Sequence, residues 1–279
     1  MGLTLMSGSN VIVEFSYAKI MHMIGTRSLL ADPLSNPKVA KNGKLGILTA
    51  PLHLAPANIS GYETCAGRSP GCTKACLHKA GNPAAAKNKR IARIKRTKAY
   101  FENRPEFMAA LAFEIARHVA RAETAIMEAA IRLNATSDIP WERIPVTLNG
   151  ITYPNIMAAF PNVQFYDYTK IAKRALAAAR GDNWPANYHL TFSLNENNDI
   201  AAASVLAAGG NVAAVFNVKK SRPLPATYTI AGHTADVVDA DLHDYRPVDG
   251  NGVIAGLRFK LPTSEVKPTE DMFGFVRAA

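Results

Sequence analysis

Residues 162–196 read NVQFYDYTKIAKRALAAARGDNWPANYHLTFSLNE, and this stretch sets the expected fold. Val163–Asp167 is a short apolar run, Thr169–Arg180 is alanine-rich with helical spacing, and Tyr188–Ser193 is a second apolar run. Two such runs with a helical segment between them form a strand–helix–strand unit with parallel strands. The same alternation extends in both directions. Further strand candidates are Leu45–Thr49, Ala129–Asn134, Asn211–Phe216, Ala235–Asp239 and Val253–Lys260, and Thr152–Phe160 and Asn198–Ala208 are helical candidates. Alternating strands and helices predict a parallel sheet, closed into a barrel or doubly wound. No G-x-G-x-x-G follows the first strand, so the dinucleotide-binding fingerprint is missing. The expectation is one α/β domain over residues 1–279, a (β/α) TIM-barrel-like fold, partial or decorated. Within it, residues 62–123 read as a cysteine loop plus a basic helical insertion. VIVEF (residues 11–15) is a further strand candidate, and Ser28 to Asn42 reads as loop.

The composition, 48% hydrophobic and 19% charged over 279 residues, is that of an ordinary globular chain. No apolar run reaches the length of a spanning helix. The N-terminus lacks a basic stretch ahead of an apolar one, so the expected location is the cytoplasm and no membrane partner is expected. The net charge of +10 is not spread over the chain. Residues 68–98 hold ten Lys or Arg and no Asp or Glu, while the remainder is balanced at 22 of each sign.

The three cysteines, Cys65, Cys72 and Cys76, lie within TCAGRSPGCTKACLHKAG (residues 64–81), spaced C-x6-C-x3-C. An odd count in a cytoplasmic setting disfavours disulfides, and clustering in a Gly- and Pro-containing loop suits convergence on a metal. Three closely spaced thiolates fit an iron–sulfur cluster, leaving one iron open or missing. Zinc is the alternative, with His78 completing a Cys3His set. The seven basic residues from Lys87 to Lys98 would favour the thiolate state.

Asn82-Pro83 suits a helix start. In the helix that follows, Ile91, Ile94 and Phe101 fall on one narrow face bordered by Lys87 and Lys98, while Lys89, Arg93 and Arg96 point the other way. A face of one sign with no interleaved acid is expected to meet phosphate, nucleic acid or an acidic partner protein. A second helix from Pro105 to about Glu123 carries Phe107, Leu111, Ile115 and Val119 as a buried stripe, with His118 beside it as a satisfied or surface residue.

Polar residues sit just past the C-terminal ends of the strand candidates. In a (β/α) barrel that end of the strands collects the active site. Lys170, Asp167, Arg246 and Asp241 are the candidate catalytic residues, and Asn134 and Ser193 the candidate cofactor-binding ones. Lys170 and Arg246 stand out because a cation near a helix start opposes the helix dipole. The cysteine loop also follows a strand and is expected on the same face. Together these features point to redox or radical chemistry on a polar or anionic small molecule. The alternative is a nucleic-acid-associated or acidic-protein-binding chain with a structural cluster or zinc.

The segments CAGRSPGCTKACL, RLNATSDIPWE, FYDYTK, YHLTFSLNE, NVAAVF and DADLHDYR together resemble an uncharacterised family of actinobacteriophage proteins known as gene product 88. The resemblance implies a phage protein acting in bacterial cytoplasm, with an iron–sulfur site on a barrel-like domain. A looser similarity is to radical S-adenosylmethionine enzymes, which also place three cysteines after the first strand of a partial barrel. Their motif is C-x3-C-x2-C, and ATSD stands here in place of a glycine-rich methionine-binding stretch. Both departures count against S-adenosylmethionine as a cofactor.

Overall fold

The computed structural model describes residues 3–6, 12–76, 83–260 and 274–279. A hairpin of β1 (Leu3–Met6) and β2 (Ile12–Phe15) leads into α1 (Tyr17–Ile24), a short α2 (Pro37–Ala40) and β3 (Ile47–Pro51). Between β3 and β4 (Glu128–Arg132) lie α3 (Pro70–Lys74), α4 (Pro83–Glu102) and α5 (Arg104–Thr124). A second hairpin, β5 (Val146–Leu148) and β6 (Ile151–Tyr153), and α6 (Ile156–Ala159) precede β7 (Gln164–Thr169). Next come α7 (Ala172–Arg180), β8 (Tyr188–Ser193), α8 (Asp199–Ala207) and β9 (Val212–Phe216). The remaining strands are β10 (Thr227–Ile230), β11 (His233–Asp239), β12 (Ile254–Arg258) and β13 (Val276–Arg277).

These build one sheet in the order β10-β11-β12-β9-β8-β7-β4-β3, with β13 also paired to β9. All its pairs are parallel except β10 with β11. From β3 to β9 each crossover moves to the neighbouring strand in one direction, and crossovers of one hand place the long helices on one face. That winding does not continue into the expected TIM-like barrel. The β10–β11 hairpin turns back, and β12 returns between β11 and β9, so among the described residues β3 and β10 are the edge strands of an open sheet, β3 being touched only at its end by Leu30 and Ala31.

Alternation along each strand sorts the two faces. On the helix face, Ile131, Phe165, Leu190 and Tyr188 meet Phe107, Leu111 and Ile115 of α5. Further along, Phe192, Val212, Ala214 and Phe216 meet Ala202, Val205 and Leu206 of α8. The expected α5 stripe is present: Phe107, Leu111 and Ile115 have no exposed surface, and Val119 packs against the same core. Burying each such side chain contributes roughly 1.5–3 kcal/mol. His118 is buried, its Nε2 2.9 Å from the Leu48 carbonyl. Among the described residues the other face carries no long helix. Residues 240–249 cross it as a strap, setting Tyr245 on Tyr166 and Ala130, and Ala240 on Ala213 and Ala255.

The helix expected over Thr152–Phe160 forms only at Ile156–Ala159, because Ile151–Tyr153 pairs as β6. Pro154 favours extended backbone at Tyr153. Asn155 caps the helix, accepting a hydrogen bond from the Ala158 N–H at 2.9 Å.

Candidate functional site

Alternation places Arg132 of β4, Tyr166 and Tyr168 of β7, and His189, Thr191 and Ser193 of β8 on the strap face, with Lys170 one step past Tyr168. The strap delivers Asp244 among them, with no exposed surface. Arg132 Nη1 donates to both Asp244 oxygens at 2.9 and 2.7 Å, the Tyr166 hydroxyl donates at 3.1 Å, and Lys38 Nζ stands 3.4 Å away. Burial pulls the Asp244 carboxyl upward, but Arg132 and Lys38 outweigh it and hold the group well below the usual carboxylate range. The strap backbone is pinned too: the N–H groups of Asp244 and Tyr245 donate to Asn42 Oδ1 at 2.8 and 3.1 Å.

Around this hub lie buried polar atoms without a hydrogen-bond partner among the described residues. The Arg132 guanidinium lies 4.8 Å above the Tyr168 ring, yet Arg132 Nε and the Tyr168 hydroxyl are both unpartnered. Arg246, also fully buried, stands 2.7 Å from Asp249 through Nη1, without hydrogen-bond alignment. Its Nη2 donates to the His243 carbonyl at 2.6 Å. Burial pushes the Tyr168 hydroxyl up to about 12 and pulls His189 down to about 4, so both are neutral near pH 7. His53, two residues past β3, is pulled down to about 3 by burial and by Arg93 and Arg132, and its Nδ1 is unpartnered. Each such buried group left unpaired costs about 1–3 kcal/mol, so their clustering marks a place built for something other than packing.

The cysteine loop roofs the C-terminal end of this row. Lys170 Nζ donates to Ser193 Oγ at 2.5 Å and lies 5.6 Å from the Phe275 ring centroid. Glu196, just beyond β8, ties the loop down by accepting from Ser69 Oγ and the Gly71 N–H, both at 2.7 Å. Burial raises the Glu196 carboxyl, but those hydrogen bonds and Lys170 prevail and lower it. Gly67 and Gly71 of the loop are close-packed. A Cβ on Gly67 would meet Lys170 and Ile171 at 2.9 Å, and one on Gly71 would meet Glu196 and Phe275 at 2.8 Å. Residues 275–277 reach this spot because β13 pairs with β9 at Val215 and Phe216, beyond the two residues through which β8 pairs with β9.

The thiols are half-buried, and among the described residues none forms a disulfide. Cys65 packs beside Thr64 Oγ1 (3.8 Å) and the Thr136 carbonyl (3.9 Å), and burial pushes its thiol up to about 11. Cys76 lies near enough to act electrostatically on both Cys65 and Arg93. Cys72 turns instead against Ala75 and Phe275. Three thiols suit a cluster chemically, but among the described residues no three His, Cys, Asp or Glu side chains converge as a metal-holding group. His78 lies outside the described residues, as does Asn82.

The family model for gene product 88 matches residues 27–271. The chain belongs to the gene product 88 family, a family of phage proteins. The match takes in the cysteine loop, the strap and the polar row, and stops short of β13. No curated protein and no solved structure matches the chain. Among the described residues no helix is long and apolar enough to cross a membrane.

In this gene product 88 chain the sequence-derived site residues separate into three places. Lys170, Ser193 and Arg246 lie on the strap face. Asp167 lies on the helix face, accepting from the Asn134 N–H at 2.6 Å and the Tyr188 hydroxyl at 3.0 Å. Asn134 is a structural hub: its Oδ1 accepts from Ser137 Oγ, the Ile139 N–H and Trp141 Nε1 at 2.9 to 3.0 Å. Asp241 sits by the end of β12, accepting from the Arg258 N–H and Lys260 Nζ, both at 3.0 Å.

The basic helix α4 is rolled relative to expectation. Arg93 and Arg96 are half-buried and turned inward, with Arg96 Nε donating to the Ser28 carbonyl at 2.9 Å, while Ile91 is 43% exposed. The buried side is led by Thr97, whose Oγ1 accepts from the Ala55 N–H at 2.8 Å, and by Tyr100, packed on Phe107 and Trp141. Lys89 remains exposed. Arg132, Tyr168 and His53 were missed from sequence. The alternation in FYDYTK carried the signal, since Tyr166, Tyr168 and Lys170 share one face and Asp167 must take the other.

Proposed function

We propose that this chain binds a small anionic molecule on the strap face, beneath a cysteine loop that takes up an iron–sulfur cluster. The observation carrying the ligand reading is one constellation: buried, unpartnered Arg132 Nε and Tyr168 hydroxyl, continuous along β7 with the Lys170–Ser193 pair. Lys170 supplies positive charge, and Arg132, whose Nη1 is taken by Asp244, offers its Nε–H. Lys170 donates to Ser193 Oγ, which leaves the serine proton to be given onward, as the Tyr168 proton is. Two cations and two hydroxyl donors in a half-buried setting suit a carboxylate or phosphate group. The cluster reading rests on the spacing of three thiols within twelve residues in the loop that roofs that row; Cys65 and Cys76 already lie near each other, and Cys72 would have to turn from Phe275 to join them. Such a cluster would supply electron transfer or an open iron, giving redox-type chemistry on the bound anion. The protein residues would orient the anion and screen its charge.

Anaerobic purification followed by iron and sulfide analysis, with absorption and paramagnetic resonance spectra, tests the cluster. Iron with acid-labile sulfide is expected; zinc alone, or no metal, overturns it. Thermal-shift screening against small carboxylates and phosphate esters tests the ligand. Stabilisation that is lost in Lys170→Gln and kept in Asp241→Asn is expected, because ligand binding raises stability by mass action. Failure of every anion, or equal stabilisation of both variants, overturns it.

A further inference from the structure

Helix α4 carries a second set of charges that this site does not use. With Arg93, Arg96, Thr97 and Tyr100 turned inward, the outward side presents Lys87, Arg90 and Lys98, all exposed. Residues 83–98 contain no Asp or Glu, so no acid within that stretch can neutralise them at helical spacing. The first acid of the helix, Glu102, accepts from the Tyr62 hydroxyl at 3.0 Å. Lys87 and Lys98 are about 17 Å apart along the axis.

Beside this side, between α4 and the end of α1, runs a cleft of about 550 Å³. Its lining includes Arg27, Lys95, Arg96 and Asn88 and, among the described residues, no carboxylate. Thr26 Oγ1, also in the lining, is buried without a hydrogen-bond partner among the described residues. Two of the cations are held in place: Lys95 Nζ donates to the Gly25 carbonyl at 3.1 Å and Arg96 Nε to that of Ser28. A row of one-sign charge longer than a small ligand, next to a cleft lined by fixed cations, matches a polyanion.

We propose that Arg27, Lys87, Arg90 and Lys98, with the cleft behind them, bind the phosphate backbone of duplex nucleic acid without reading its sequence. A duplex is favoured over a single strand because α4 offers no stacking platform. Tyr100 is buried, and Phe101 is already stacked on Tyr62 at 4.5 Å.

Fluorescence anisotropy with a labelled DNA duplex of arbitrary sequence, repeated across salt concentrations, tests this on the full chain. Log affinity is expected to fall linearly with log salt. A variant combining Arg27→Gln, Lys87→Gln, Arg90→Gln and Lys98→Gln should bind at least about tenfold more weakly, with a shallower salt slope. A control pair, Lys219→Gln with Lys220→Gln, removes exposed charge after β9 and should bind as the parent does. No binding at low salt, or equal losses in the two variants, overturns the proposal. So does displacement of the duplex by polyglutamate as readily as by unlabelled DNA, which would assign the surface to an acidic protein.

Discussion

Asp167 and Lys170 lie three residues apart at the end of one strand, and that odd spacing sends them to opposite faces. Asp167 is fully buried, and burial pushes its carboxyl up to about 7 against the Asn134 N–H and Arg132. Its folded value lies above the unfolded value of about 3.9, so folding takes up a proton between the two. Stability from this group is full below about pH 4 and is lost as pH rises toward 7. Asp167→Asn cannot titrate. Urea denaturation across that range should show the parent losing stability relative to the variant, with a constant difference above pH 7. Parallel pH profiles would mean that the native carboxyl is already ionised throughout. The residue types near the site were legible in the sequence, because strand-end polar clusters are visible as such. Which of them share a face was equally available from the period-two rule. The role of Asn134 was not, since its three donors come from the irregular turn over residues 137–141.

At the level of elements, α3 is a five-residue helix capped by Ser69, with Glu196 from the loop beyond β8 also capping its first turn by accepting from the Gly71 N–H. Gly71 admits that cap because it has no Cβ. Gly71→Ala would push on Glu196 and Phe275, and it should cost about 1–3 kcal/mol and loosen the cysteine loop. Native-state thiol labelling should then modify Cys65 and Cys72 faster than in the parent; unchanged rates would show that the loop is held by other contacts. The alanine-rich helices α7 and α8 were legible because their flanking strands framed them. The roll of α4 was not. Its apolar residues are few, so its orientation follows from Thr97 and Tyr100 meeting partners remote in sequence, not from a stripe of its own.

Across the whole molecule, the alternation of strands and helices was readable, whereas closure was not. Whether a singly wound sheet closes depends on where its last strands go. Here β12 slips back beside β9, and no local pattern announces that. The open sheet needs another cover, and the strap provides it through Asp244. Asp244→Asn would leave Arg132 and Lys38 without their counter-charge, and should cost about 3–5 kcal/mol. Hydrogen exchange should show residues 240–249 losing protection before β8 does. Equal protection across both would mean that strap and sheet open as one unit.

The placement of β13 also fixes an order of assembly. Val215 and Phe216 of β9 take partners from Val276 and Arg277, and Phe275 stands against Lys170 and the roof of the cysteine loop. These contacts come from residues made some sixty positions after the strand they complete. During synthesis on a ribosome, where domains fold as the chain emerges, the helix face can pack while this corner still lacks its last strand. The corner where Phe275 meets Lys170 and the cysteine loop therefore closes late.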